Sequence, residues 1–140
     1  FVDFVSLNYY MGWYSGTLND WQGFIKGIRQ KMMEKGVGDK PVVMSEFGCA
    51  AIAGYDDFGH NKWTMQYQSD FIETVIRLAF AEEGFCGTFV WQFADIVSDI
   101  NINRARGFNN KGVLNEYRKP KMSYFKIRDH YQKFAQEERE

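Results

Sequence analysis

Three short apolar runs, FVDFVSLN, PVVMSEF and FCGTFVWQF, alternate along the chain with three longer segments whose apolar residues recur at helical spacing. This alternation limits the possible folds more than any other feature. Short runs that stay apolar at consecutive positions are strands covered on both faces. The spacing predicts strands from Phe1 to about Asn8, over Pro41–Phe47 and over Phe85–Phe93. It predicts helices from an Asn19 or Asp20 cap to Lys35, from about Trp63 to Glu83, and from about Lys121 to Gln136. Trp21, Phe24, Ile25, Ile28 and Met32 line the first helix. Phe71, Val75 and Leu78 line the second, and Tyr124, Ile127, Tyr131 and Phe134 the third. Gly36 and Gly84 stop the first two. The tail QEERE is expected to fray.

Strand–helix alternation implies parallel strands joined by right-handed crossovers. An α/β architecture follows, either an open doubly wound sheet or a piece of a (β/α)8 barrel. A whole barrel needs about 250 residues, and this chain has 140. It begins at Phe1 rather than Met, so it is expected to be one domain-sized part, residues 1–140, of a longer polypeptide.

Composition removes several function classes. A formal charge of −1 gives no electrostatic case for nucleic acid or an anionic membrane. No apolar run approaches the ~20 residues of a membrane span. Two cysteines are too few for a disulfide framework and are expected as free thiols. Two histidines without a Cys/His cluster argue against a metal site. GWYSG lacks the spacing of a phosphate cradle, so neither cofactor nor metal is expected.

In parallel α/β folds the ligand meets the carboxyl ends of the strands. The first strand delivers Asn8, Tyr9 and Tyr10 there, followed by Trp13 and Tyr14. The second delivers Ser45 and Glu46, and the third Trp91, Gln92 and Asp95. Aromatic faces stack on the C–H faces of sugars, while amides and carboxylates bond hydroxyls, so the set suits a carbohydrate. Blander readings stand beside this one. Tyr9 and Met11 fit plain packing. Glu46 could pair with Lys111 or an arginine, Asp95 could cap a loop, and Asn109 and Lys111 could be ordinary loop residues. His60 and His130 fit a loop and a helix surface.

Taken in order, SLNYYMGWY, VVMSEFG, VWQFAD, GFNNKG and RKPK resemble the β-glucuronidases of glycoside hydrolase family 2 over nearly the whole chain. The resemblance implies the C-terminal portion of a TIM (β/α)8 barrel, about its last three β/α units. It implies a retaining β-glucuronidase with Glu46 as nucleophile. Asn8, Tyr10 and Tyr14 would line the sugar pocket, and Trp91 would form its floor. Asn109 and Lys111 match an Asn-x-Lys motif for the sugar carboxylate. A pocket arginine maps to Arg106 in preference to Arg104, with a shift of about one residue from the family spacing. The acid/base glutamate of the family follows its fourth strand and has no counterpart in these residues; Glu116, in LNEYRKP, matches a different segment. The implied partners are a β-glucuronide, the rest of the barrel and a second copy of the protein, with no nucleic acid or membrane. A cytoplasmic setting is expected if the source is bacterial. The alternatives are a β-galactosidase of the same family and a non-catalytic sugar-binding fragment. An unrelated doubly wound domain would show a phosphate or cofactor loop after its first strand.

Overall fold

The computed structural model describes residues 2–137. Phe1, the expected start of the first strand, and 138–140 of the tail lie outside the described residues. The chain forms two compact units, one of residues 1–47 and 74–90, the other of 48–73 and 91–140.

The first unit is built on a parallel sheet in the order β1-β2-β3, from Val5–Asn8, Val42–Phe47 and Phe85–Val90. The parallel strands expected from the alternation are therefore present, each a little shorter than its apolar run. α1, Trp21–Glu34, joins β1 to β2. Asp20 takes the cap position, one of the two expected, but its side chain makes no capping bond to α1. The Asp20 carboxylate reaches back to the Thr17 N–H at 2.7 Å and the Thr17 hydroxyl at 2.9 Å, and a 3-10 turn over Leu18–Asp20 leads into the helix. Trp21, Ile25 and Met32 of α1 are buried, as are Val42, Met44 and Phe47 of β2 and Val75, Ile76 and Ala79 of α2, Met65–Phe80. This core is largely apolar, with Arg29 and Thr88 as buried polar residues; the Arg29 guanidinium donates to the Gly38 and Lys40 carbonyls.

The pairing of β1 with β2 is irregular where it matters. Leu7 pairs with Met44, but Asn8 pairs with Glu46, so Ser45 has no partner in register. The β2–β3 pairing slips between Met44 and Phe47 as well. An extra residue in one strand is a bulge, and it resets which face the following side chains take.

The second unit holds the first turns of α2, a two-stranded antiparallel ribbon of β4, Ile96–Val97, and β5, Phe108–Asn109, and the last helix α3, Met122–Glu137. The ribbon lies between the third expected strand and the third expected helix. Thr64 caps α2 by accepting from the Tyr67 N–H at 3.0 Å, so the helix starts at Met65, two residues later than the expected Trp63. This unit's interior is unusually polar: Thr64, Gln68, Asp95, Asn110, Lys111, Lys121 and Ser123 are all buried. The expected inner side of α3, Tyr124, Ile127, Tyr131 and Phe134, is only half-buried.

Candidate active site

The first unit presents Glu46 near the carboxyl end of β2. The Tyr10 hydroxyl donates to its Oε2 at 2.6 Å. Burial, then the neighbouring carboxylate, pushes the Tyr10 phenol well above the ordinary tyrosine range, so it stays protonated and remains a donor. Glu46 forms no ion pair among the described residues, so the ion-pair reading of this carboxylate gives way to a hydrogen-bonded one.

The bulge residue fixes this end of the sheet. Ser45 Oγ accepts from the Ser6 hydroxyl at 2.5 Å and turns its own proton toward Asn8 Oδ1 at 2.7 Å and the Leu7 carbonyl at 3.0 Å. Asn8 is thereby tied to the residue that precedes Glu46. Tyr14 is 61% exposed, with its ring edge-on to Tyr10 at 5.5 Å. Asn8, Tyr10 and Tyr14 line one cleft of about 220 Å³ together with Tyr9, Met11 and Ser15. Tyr9 also stacks on Phe24 at 4.2 Å, and the Met11 carbonyl accepts from the Trp21 indole.

The second unit carries the remaining expected residues. Trp91 is 39% exposed, and its peptide bond to Gln92 is cis. Gly48 follows β2 against this turn, where a Cβ would fall on the Trp91 carbonyl oxygen; only glycine allows the approach. Asn109 and Lys111 are both buried, not on an open rim. The Asn109 side-chain oxygen accepts from the Lys111 N–H at 3.3 Å, which orients its amide NH2 as a donor. The Asn109 carbonyl accepts from Gln92 Nε2 at 3.2 Å, and the Lys111 carbonyl from the Gln92 N–H at 3.0 Å.

Arg106 does not join this set. It sits at φ 59°, is held by Glu116 at 2.9 Å and lies over the Phe108 ring. Backbone hydrogen bonding and the Arg106 guanidinium hold the Glu116 carboxyl below the usual range, which suits an ion-pair partner and not a proton donor. Arg104 donates to the adjacent Asn103 carbonyl.

Asp95 is not a rim residue either. Its side chain is fully buried and pairs with Lys121 at 2.8 Å. Burial pushes the Asp95 carboxyl up and the Lys121 ammonium down, each opposed by its partner. Sequence reasoning missed this pair, because a lysine ahead of a helix ordinarily points to solvent. Cys49 and Cys86 are free thiols; burial pushes the Cys49 thiol well above its ordinary range. His60, on an exposed loop, bonds Asp70 of α2, and His130, on α3, lies near Glu73 of α2. Among the described residues no cluster could hold a metal, and no helix is long and apolar enough to cross a membrane.

Parallel strands joined by helices, with a phenol-held carboxylate at a strand's carboxyl end, match the layout of a (β/α) barrel segment, where ligands meet the strand ends. The family model described as "Glycosyl hydrolases family 2, TIM barrel domain" matches residues 1–136, and the chain belongs to that family. A β-glucuronidase of Streptococcus agalactiae is 34% identical over 124 residues, which make up 86% of this chain and 20% of that protein. The human β-glucuronidase is 29% identical over 147 residues, covering 99% of this chain and 22% of its own length. Among solved structures, a family 2 β-galacturonidase of Eisenbergiella tayi bound to galacturonate matches at a TM-score of 0.84 and 32% identity, covering 94% of this chain and 24% of that one. The chain thus spans between a fifth and a quarter of the length of these relatives.

Proposed function

We propose that this chain is the nucleophile-bearing, C-terminal part of the barrel of a retaining β-glucuronidase. Glu46 attacks the anomeric carbon of a β-glucuronide while the aglycone leaves. The glycosyl ester so formed is then hydrolysed by water with net retention. Protonation of the leaving group needs a second carboxyl group, which the family carries after its fourth strand, outside these residues. The isolated chain is therefore inactive. The observation that carries the reading is the 2.6 Å bond from Tyr10 to Glu46 at a strand's carboxyl end, in a chain of this family.

Asn8, Tyr10, Tyr14 and Trp91 contact the sugar. Asn109 and Lys111 take its C6 carboxylate. An ammonium and an amide donor offset that charge, and a neutral C6 hydroxymethyl gains less from them. Arg106 has the weakest support as a pocket residue, since Glu116 already engages it. A second reading, cleavage of β-galacturonides, is favoured by the match to the Eisenbergiella tayi β-galacturonidase. The two sugars share the C6 carboxylate and differ in the C4 hydroxyl.

The test uses the complete polypeptide that carries this chain, assayed with chromogenic β-glucuronide and β-galacturonide. Glu46→Gln is expected to lower kcat by at least ~10³-fold while the protein stays folded, because the amide cannot form the ester. Near-wild-type turnover in that variant would remove Glu46 from the mechanism. The ratio of the two substrates decides between the uronides.

A further inference from the structure

The mechanism proposed above makes no use of the charged pair inside the second unit. Lys121, from the RKPK stretch, is 1% exposed and its ammonium donates three hydrogen bonds. They go to the Ala51 carbonyl at 2.6 Å, Asp95 Oδ1 at 2.8 Å and the Asn110 carbonyl at 3.0 Å. An ammonium has three protons, so its donor capacity is fully used. Asp95 Oδ1 also accepts from the Gly112 N–H at 2.9 Å. Lys121 thus holds the peptide group before Lys111, and Asp95 holds the one after it. Gln68 Nε2 adds bonds to the Cys49 carbonyl at 2.9 Å and the Gly112 carbonyl at 3.2 Å, and Ser123 donates to Gln68 Oε1 at 2.8 Å.

A buried ion pair is a poor way to gain stability, since apolar residues of similar volume usually serve as well or better. It does fix direction. Three short bonds from one ammonium define where three backbone or carboxylate oxygens sit, which apolar packing does not. Recognition of a carboxylate by a fixed amide and ammonium depends on such placement.

We propose that Lys121, together with Asp95, is a positioning residue for uronate recognition. It sets the backbone from Asn109 to Gly112 and, through it, the discrimination between a C6 carboxylate and a C6 hydroxymethyl group. The proposal rests on the uronide reading of Asn109 and Lys111.

The test compares kcat/KM for a 4-nitrophenyl β-glucuronide with that for the matching β-glucoside, in the complete polypeptide. Lys121→Met is expected to lower this ratio by about tenfold or more while a cooperative melting transition remains. The double variant Lys121→Met/Asp95→Leu removes both charges and leaves an apolar interior; it carries the test if the single variant does not fold, and the same fall is expected. Lys111→Ala is the benchmark. If Lys111→Ala loses the preference while folded Lys121 variants keep it, or lose both rates equally, the positioning role is overturned and the uronide reading stands. If Lys111→Ala also keeps the wild-type ratio, the uronide reading itself fails and the positioning role falls with it.

Discussion

Tyr10 decides what Glu46 can do. A carboxylate at a strand end has several rotamers and water to solvate it. One short bond from a phenol that cannot ionise selects a single orientation and leaves Oε1 for other work. Tyr10→Phe keeps the ring packing on Tyr14 and deletes that bond. It is expected to lower kcat by about 10- to 100-fold, with a smaller change in KM, in steady-state assays of the complete polypeptide. An unchanged kcat would mean that Glu46 is held by something else. Glu46 and Tyr10 could both be picked out of the sequence, since a carboxylate ending an apolar strand and a tyrosine following one are conspicuous there. Ser45 could be placed at the strand end but not given its bridging role, and Lys121 could not be singled out. A serine in a strand and a lysine before a helix look ordinary, and their importance comes from partners 11 to 70 positions away in sequence.

Elements were more legible than the contacts between them. All three helices and all three parallel strands follow from periodicity, because burial of one stripe or of both faces leaves a direct mark on residue order. The β4–β5 ribbon left no such mark: two residues per strand are too few to show alternation. The docking of α3 was only partly foreseen. Besides its half-buried apolar stripe, it reaches α2 through Glu73, which lies 3.0 Å from Lys126 and 3.5 Å from His130. Partial burial pushes the Glu73 carboxyl up, but these two neighbours outweigh it and hold it below the usual range. A carboxyl lowered by folding stabilises the native state above its unfolded pKa, and that contribution is lost as pH falls through the folded value. Glu73→Gln is expected to cost less than about 1 kcal/mol at neutral pH. Its melting temperature should fall less steeply than that of the wild type as pH is lowered from about 5 to about 3. Parallel acid limbs in calorimetry would count against the contact.

At the scale of the molecule, the alternation of strands and helices led to an α/β fold with an open sheet and a barrel piece both possible, and the ordered motifs singled out the family 2 barrel domain. The order β1-β2-β3 gives β1 and β3 one strand neighbour each among the described residues. Unpaired strand edges recruit other chains. Phe89, on β3, is 64% exposed and adds an apolar surface to that edge. The isolated 140-residue chain is therefore expected to elute from size-exclusion chromatography as associated species and to leave a chromogenic β-glucuronide uncleaved. A stable, clean monomer would show that these edges are self-sufficient. How far the second unit would depend on buried polar bonds was not legible. Hydropathy treats Lys121 and Asp95 as surface residues, and only their mutual satisfaction makes burial tolerable.

The bulge at Ser45 bears on how this gene can change. Side chains in a strand alternate between two faces, and the extra residue shifts that phase by one just before Glu46. Losing a single codon there would keep Glu46 and Tyr10 in the protein and turn the carboxylate to the opposite face of the sheet. Many point substitutions along β2 would do less harm. The strand tolerates spelling changes better than changes of length, and the serine acts as a spacer whose worth lies in being counted.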